Sequence, residues 1–325
     1  MLSLKFNNVY ISDYDAIVGP NEKKGNLKNI KKVISDFYYK EKSFELAQIK
    51  MQKDIINSLE SKDNKEGEKL IIGGDLTNQI SGTTYGLKND KNSFLGIYCA
   101  CSTFIEGLII SSLLVDNNYI NSVINITSSH NLVAERQFRY PVEYGVIRNV
   151  NSTFTATGCV GCIIKRKKSN IKIVNATIGS IIDKNISDPN EIGAIMAPAA
   201  AEVIYNHLIN NHINIDYYDL ILTGDLGSVG TKILKTYLFE KYNLNGENIS
   251  DAGAKIYKKI SDINDGASGP SVLPLYFFYN IIPNKKYKKV LLVGTGSLHS
   301  KSMVNQKESV PAVAHAVGIE LKIWY

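Results

Sequence analysis

The sequence contains no apolar run that approaches the roughly 20 residues needed to cross a bilayer. Its start, Met1 to Tyr10, also lacks the basic stretch and long apolar core of an export signal. Only four cysteines are present, in two tight pairs rather than at the spread spacing of a disulfide framework. We therefore expect a soluble protein in a reducing compartment, and neither a membrane-spanning protein nor a disulfide-stapled secreted scaffold.

Acidic residues are too few to balance the lysines, and the formal net charge is +6. The basic residues nevertheless fall in short runs, such as 165–168 and 285–289, which are typical of solvated loop tips. A nucleic-acid-binding protein would need a continuous basic face with interleaved aromatic residues, which we do not find. We expect no nucleic-acid partner, while weak attraction to anionic lipid stays open.

A strand-like apolar run passes directly into a helix-like pattern between Leu95 and Leu108, with Cys101 at the junction. Ser102 is typical of a helix start, and Glu106 follows in the first turn. A thiol at a helix start faces unpaired N–H groups, which favour the thiolate and attract anions. The pattern indicates a nucleophile or a ligand contact; a small buried residue that permits close packing is an equally good interpretation.

A duplicated pattern is the strongest architectural signal in the chain. Strand 70–73 followed by Gly-Asp-Leu is repeated by strand 219–223 followed by Gly-Asp-Leu, and a helix start and a further strand follow in each half. The β-α-β order predicts an α/β fold with a parallel sheet covered by helices. We expect two halves, residues 1–170 and 171–325, whose helix starts meet at one central pocket.

Histidines and arginines offer further candidate groups. His130, His299 and His315 face either the pocket or the core, whereas His207 and His212, near a helix end, are expected at the surface. Arg136 and Arg139 suit either a clamp for a carboxylate or an internal ion-pair network with Glu135 and Glu143, and we favour the network.

The second cysteine pair, Cys159 and Cys162, has the spacing of half a zinc site or a redox pair. The small and apolar residues around it make a buried strand the better interpretation, with each cysteine acting as a small hydrophobic residue.

Many further motifs follow one another along the chain, namely Val18-Gly19-Pro20, Gly74-Asp75-Leu76-Thr77-Asn78-Gln79, Ala100-Cys101-Ser102-Thr103, Ser128-Ser129-His130-Asn131, Glu135 to Pro141, Met196 to Ala201, Thr223 to Gly227 and Ala314-His315-Ala316-Val317. In this order they resemble the stage V sporulation protein AD family of spore-forming Firmicutes, which has a thiolase-like fold. They cover nearly the whole chain.

The resemblance implies two pseudo-symmetric halves in a layered α-β-α-β-α arrangement, without enzymatic activity. Cys101 matches the thiolase nucleophile, but residues 262–269 hold no counterpart of the thiolase histidine, and residues 294–297 lack its second cysteine. Cys99 also stands where the family usually has glycine. The alternatives are a thiolase-like acyltransferase using Cys101, and a structural adaptor with a non-functional pocket.

The family also implies a ligand and a place in the cell. The chain is expected to bind dipicolinic acid (pyridine-2,6-dicarboxylate), alone or with Ca²⁺, for uptake during sporulation and release in germination. We expect no cofactor, no resident metal, a homodimer, and peripheral association with the inner spore membrane of the forespore or spore, on its cytosolic side, through other stage V sporulation A membrane proteins. The expected ligand-binding residues are Cys101, Ser102, His130, Arg136, Met196, Asn264, Ser268 and His315.

Overall fold

One long N-terminal strand, β1 (Leu2–Val18), pairs with strands of both halves of the chain. The computed structural model describes residues 1–63, 69–138, 152–258, 263 and 265–322. The other strands in these residues are β2 (Lys32–Val33), β3 (Leu70–Asp75), β4 (Ser93–Gly96), β5 (Ser122–Ser129), β6 (Phe154–Thr155), β7 (Gly158–Lys165), β8 (Ile171–Ile178), β9 (Leu220–Thr223), β10 (Ile249–Asp251), β11 (Ala267–Ser268), β12 (Lys289–Ser297) and β13 (Ala312–Leu321).

Side-chain caps precede two of the described helices: the Ser43 hydroxyl accepts the Leu46 N–H, and the Asp251 carboxyl accepts the Ala254 N–H. In the described residues the helices are α1 (Pro20–Lys24), α2 (Phe44–Lys62), α3 (Ser81–Gly86), α4 (Thr103–Asp116), α5 (Asn131–Phe138), α6 (Ile192–Asn211), α7 (Gly227–Tyr242), α8 (Ala252–Ile256), α9 (Val272–Tyr276), α10 (Ile282–Asn284) and α11 (Lys301–Asn305). A π-helical turn, Phe277–Ile281, joins α9 to α10.

The main sheet is mixed, so the expectation of a parallel sheet is only partly correct. Its strand order is β10-β9-β12-β13-β8-β1-β7-β5-β3-β4. The outer strands of each half pair in parallel, as the β-α-β order predicts. The strands between them, β13, β8, β1 and β7, pair antiparallel with their neighbours. The periodicity of a buried strand gives no direction, which is set by the connections.

Alternating side chains divide the interior into three apolar cores. On β12, Val290 and Leu292 face a central core that also contains Phe104 of α4 and Phe277. Leu291 and its neighbours face a second core under α6 and α7. A third core, which includes Met51 of α2, covers the outer face of the first-half strands. The strands of the two halves form two β layers of this continuous sheet, and the central core fills the space between them together with α4 and α9. With α6 and α7 on one outer side and α2 on the other, the layers follow the order α-β-α-β-α.

The second cysteine pair lies on strand β7. Cys159 and Cys162 are both buried on this strand and are three residues apart, so their side chains point to opposite faces. Cys162 lies in the central core and Cys159 in the core under α2. The preferred interpretation, a buried strand, is therefore correct.

Among the described residues, α6 is the one helix long and apolar enough to cross a bilayer, which the sequence analysis did not anticipate. Of its most apolar window, 67% is buried inside the fold. His207, near its C-terminal end, was expected at the surface and is instead fully buried, because this end of α6 packs over β8 and Tyr218. His212 is exposed, as expected.

The division into halves at 170/171 falls in the turn between β7 and β8. β1 pairs with β7 through residues 10–18 and with β8 through residues 2–11. The two halves therefore share a strand, and the proposed domain boundary stays a prediction.

Candidate functional site

A small cavity of about 70 Å³ lies where β3 and β12 end and α4 begins. It opens beside a larger groove of about 690 Å³, and the two share Tyr98, Phe138 and His299. The cavity is lined by Leu76, Tyr98, Ala100, Cys101, Ala134, Phe138, Thr155, Pro189, Asn190, Ile192, Ser268, Ser297 and His299. These described lining residues are apolar or carry hydroxyl, amide, thiol or imidazole groups, with no carboxylate among them.

Cys101 lies in the cavity wall because the chain turns sharply before α4. Ala100 adopts a left-handed conformation with φ of 47°, which is strained for a residue with a side chain. The Ser102 N–H donates to the Cys99 carbonyl at 2.9 Å, and the Thr103 hydroxyl donates to the Ala100 carbonyl at 2.7 Å. These bonds hold a single 3-10 turn, Ala100–Ser102, and leave Cys101 partly buried at its outer side.

The thiol of Cys101 does not have the thiolate character that its place at a helix start predicts. Burial, together with the nearby Asp225 carboxyl, raises the pKa of Cys101 well above its ordinary value. Burial likewise raises the pKa of Asp225 well above that of an ordinary aspartate. Removal from water outweighs the favourable field of the helix start, so Cys101 stays a neutral thiol at neutral pH.

The duplicated Gly-Asp-Leu turns differ in what their aspartates do. In the first half, Asp75 accepts the backbone N–H groups of Thr77 and Thr83, both at 2.7 Å. In the second half, Asp251 takes this role and accepts the N–H groups of Leu226 and Gly227 at 3.0 and 3.2 Å.

Asp225 is therefore released from turn capping and lies fully buried near Cys101. Neither of its carboxyl oxygens has a hydrogen bond within 3.5 Å in the described chain, and the Gly269 N–H is its polar neighbour.

The turn before α9 reaches the same cavity, as the duplicated pattern predicts. The short strand Ala267–Ser268 pairs in parallel with Phe154–Thr155, and this register places the side chains of Ser268 and Thr155 in one wall. Gly269 follows with φ of 121°, a conformation that favours glycine, and its backbone N–H lies near both the Cys101 thiol and the Asp225 carboxyl.

Two more of the expected ligand-binding residues lie next to this wall. Ser102 is fully buried against β12, where a Cβ atom at Gly294 would come within 2.8 Å of its hydroxyl. His315 lies on β13 with its Nε2 3.5 Å from the Cys99 sulfur, and its Nδ1 accepts the Gly179 N–H at 3.1 Å. Burial lowers the pKa of His315 to about 4, so this imidazole is neutral.

Three expected residues lie away from the cavity wall. His130 contacts the Phe37 carbonyl through Nε2 at 2.9 Å, and Met196 is fully buried within α6. Arg136 forms an ion pair with Glu45 at 3.2 Å, and the expected network with Glu135 and Glu143 stays a prediction. Asn264, Arg139 and Glu143 lie outside the described residues. The ligand-binding roles of all eight expected residues stay predictions.

Other cavity residues were missing from the sequence-based set of ligand-binding residues. His299 was identified only as a strand-end histidine; it lines the cavity, and its ring lies 4.8 Å from the Phe138 ring. Tyr98 is the last aromatic residue before the Cys101 turn, a signal that was available. Pro189 and Asn190 come from the connection before α6, whose path no sequence pattern indicated.

The family and its relatives are clear from comparison with known proteins. A family model described as stage V sporulation protein AD matches residues 2–320. Stage V sporulation protein AD from Bacillus subtilis (strain 168) is 36% identical over 318 residues, which is 96% of this chain and 94% of that protein.

Solved structures support the fold alone. 3-Oxoacyl-(acyl-carrier-protein) synthase III from Aquifex aeolicus has a TM-score of 0.53 and 13% identity, over 96% of this chain and 97% of that chain. A substituted form of OleA from Xanthomonas campestris has a TM-score of 0.58 and 12% identity, over 97% and 99%. The fold is therefore thiolase-like, as the resemblance implied.

Proposed function

The chain belongs to the stage V sporulation protein AD family, and we propose that it is a non-enzymatic protein that binds dipicolinate, alone or as its Ca²⁺ chelate. In this proposal it serves the dipicolinic acid channel apparatus of the spore, in uptake during sporulation and release in germination. The observation that carries the proposal is the lining of the cavity beside Cys101. Hydrogen-bond donors and aromatic rings line it, and no carboxylate is among its described lining residues, which suits a planar aromatic dianion.

The described side chains can meet both parts of such a ligand. Ser268 and Thr155 can donate hydrogen bonds to a carboxylate from one wall, and Ser297 can donate from another. Tyr98 and Phe138 stand where the cavity joins the groove and can pack on the pyridine ring. Because the cavity alone is small, we place one carboxylate inside it and the ring at its mouth.

The state of Cys101 supports a role without catalysis. A nucleophilic thiol needs a base that accepts its proton. The titratable group that acts most strongly on Cys101 is the carboxyl of Asp225, and it raises the pKa of the thiol, which is the opposite of what an activated nucleophile needs. The alternative of an acyltransferase keeps one supporting observation, since His299 lines the same cavity as Cys101.

Isothermal titration calorimetry with dipicolinate tests the binding proposal, with and without Ca²⁺. We expect saturable heat with dipicolinate and weaker heat with benzene-1,3-dicarboxylate, which lacks the ring nitrogen. A Thr155→Val, Ser268→Ala double variant should lose most of the affinity, whereas Ser93→Ala, an exposed residue outside the cavity, should not change it. Absence of heat at millimolar dipicolinate would refute binding and leave the structural adaptor.

A second experiment separates binding from catalysis. The purified protein is incubated with acyl-coenzyme A substrates, and intact-mass spectrometry follows Cys101 while free coenzyme A is measured. We expect neither an acyl adduct nor turnover. An adduct on Cys101 that turns over would establish the acyltransferase instead.

The partner and localisation parts of the proposal rest on the family and on one surface. We propose peripheral association with the inner spore membrane through other stage V sporulation A membrane proteins, and a homodimer. All four residues of the edge strand β4 are exposed, including Phe94 and Leu95, so its free edge can pair with a second copy. Light scattering after size exclusion should show a dimer that Leu95→Lys disrupts; a monomeric wild-type protein would refute it.

A further inference from the structure

Three basic segments that are distant in sequence lie side by side at the end of the molecule opposite the cavity. β3, β5 and β12 run from this end towards the cavity. The Leu321 N–H donates to the Lys288 carbonyl at 2.8 Å, and the Lys322 N–H donates to the Asn170 carbonyl at 2.9 Å. These bonds bring the turn 166–170, the loop 285–288 and the end of β13 into one surface, which we call the basic pole.

Six lysines of the basic pole are exposed, namely Lys167, Lys168, Lys285, Lys286, Lys288 and Lys322. In the described part of the chain, none of them takes part in an ion pair within 4.0 Å. They are held by turns and strand ends rather than by long mobile segments. The basic pole therefore projects a cluster of unpaired positive charge into solvent.

Few acidic groups lie near the basic pole, and two of them accept hydrogen bonds from backbone N–H groups. Asp219 accepts the backbone N–H groups of Lys288 and Lys289 at 2.6 and 2.9 Å. Asp116 accepts backbone N–H groups of β1, and Glu320 lies between basic residues of the neighbouring strands in the sheet register. Asp216 is exposed beside the pole and offsets one of its charges. A positive excess remains after these acids are counted.

An aromatic residue extends the same surface. The Arg166 guanidinium donates to the Asp116 carbonyl and to the Asn118 side chain at 2.8 and 2.7 Å, which fixes the end of α4 beside the turn 166–170. Tyr119 follows and is 79% exposed, more than any other large apolar or aromatic side chain in the described chain. Exposed tyrosine beside lysine is typical of surfaces that lie at the headgroup level of a bilayer.

We propose that the basic pole binds the surface of a bilayer that contains anionic lipids, which directs the cavity away from that bilayer. A nucleic acid is the less suitable partner, since the charges lie on turns without a groove or a recognition helix. They are also mostly lysine, which attracts diffuse negative charge, rather than the arginine that reads bases and phosphates in bidentate fashion. This inference does not depend on whether dipicolinate binds.

Vesicle co-sedimentation tests the proposal with the full chain. One set of vesicles is phosphatidylcholine alone, and the other contains about 30% phosphatidylglycerol, a fraction that gives a clearly negative surface. We expect binding only to the anionic vesicles, with affinity that falls as salt is raised. A lysine near such a surface contributes about fivefold in affinity, so the triple variant Lys167→Glu, Lys286→Glu, Lys288→Glu should bind at least about 100-fold more weakly.

A matched triple variant distinguishes the effect of the basic pole on vesicle binding from the effect of the net charge of the protein. Lys42→Glu, Lys53→Glu and Lys307→Glu change the net charge equally at exposed lysines outside the pole, and we expect near wild-type binding. Tyr119→Ser should weaken binding a few-fold. The proposal is overturned if wild type does not bind the anionic vesicles, if both triple variants lose affinity equally, or if random-sequence duplex DNA binds more tightly than the vesicles at the same salt.

Discussion

Glu22 should make the stability of this protein fall as pH rises from about 4.5 to about 7. Its side chain, in α1, is fully buried, and Oε1 accepts the Thr157 N–H at 3.1 Å and the Tyr257 hydroxyl. Oε2 has no hydrogen-bond partner in the described chain, and a Cβ atom at Gly19 would come within 2.5 Å of it. Burial raises the pKa of Glu22 to about 7, against a partial opposing effect of its hydrogen bonds.

The sign and size follow from linkage. The folded-state pKa is above the unfolded value of 4.5, so the folded state binds the extra proton and its stability is fully present below pH 4.5. That contribution is lost as pH rises to about 7, and the shift corresponds to about 3 kcal/mol in the free energy of unfolding. Glu22→Gln keeps the shape and the acceptor oxygen but does not ionise.

Urea unfolding of wild type and Glu22→Gln at several pH values between 5 and 8 measures the effect. We expect the stability of the variant relative to wild type to increase by about 2 to 3 kcal/mol across this range. Any pH-independent effect on stability of the amide in the Glu22→Gln variant cancels, because only the change of the difference with pH is used. Glu308→Gln, at an exposed glutamate, should give a flat difference. A flat difference for Glu22→Gln as well would refute the assignment of a raised pKa to Glu22.

Three further outcomes follow from the described contacts. Because burial and Asp225 raise the pKa of Cys101, iodoacetamide at pH 8 should alkylate it at least about tenfold more slowly than in the urea-unfolded chain, and equal rates by mass spectrometry would contradict this. The Lys165 ammonium lies 2.5 Å from the buried Asp63 carboxylate, so Lys165→Met removes the ion-pair partner of Asp63. This should lower the free energy of unfolding, measured with urea, by about 3 to 5 kcal/mol. A decrease below about 1 kcal/mol would show that Asp63 is solvated. His207→Leu removes the bond to the Tyr218 hydroxyl at 2.8 Å and should cost about 1 to 3 kcal/mol, and a neutral result would mean that this buried bond adds nothing.

Sequence patterns predicted helices and strands well where the pattern of apolar residues or a turn motif is local to the element. The apolar face of 43–59 corresponds to α2, and the duplicated Gly-Asp-Leu turns correspond to the ends of β3 and β9. The helix start at Cys101 was also located correctly. In each case the signal is local, because period, capping and glycine act within a few residues.

Properties that depend on distant residues were not predictable in this way. His207 is buried because α6 packs over β8, which no pattern within α6 indicates. The raised pKa of Cys101 comes mainly from burial by distant parts of the chain and then from Asp225, which is over a hundred positions away. The antiparallel pairing of β7 and β13 likewise depends on which strands become neighbours in space.

The shared strand β1 affects how the chain can be assembled and divided. Its first part pairs with β8, at residues 171–178, and its last part pairs with β7, at residues 158–165. During synthesis, only the end of β1 can pair early, with β2; its long pairings with β7 and β8 must wait until about 140 further residues have followed Val18. A fragment that begins after the β7–β8 turn would lack β1 and would expose the edge of β8. We therefore expect the two halves, made separately, to recover the fold only when β1 is present to pair with both β7 and β8.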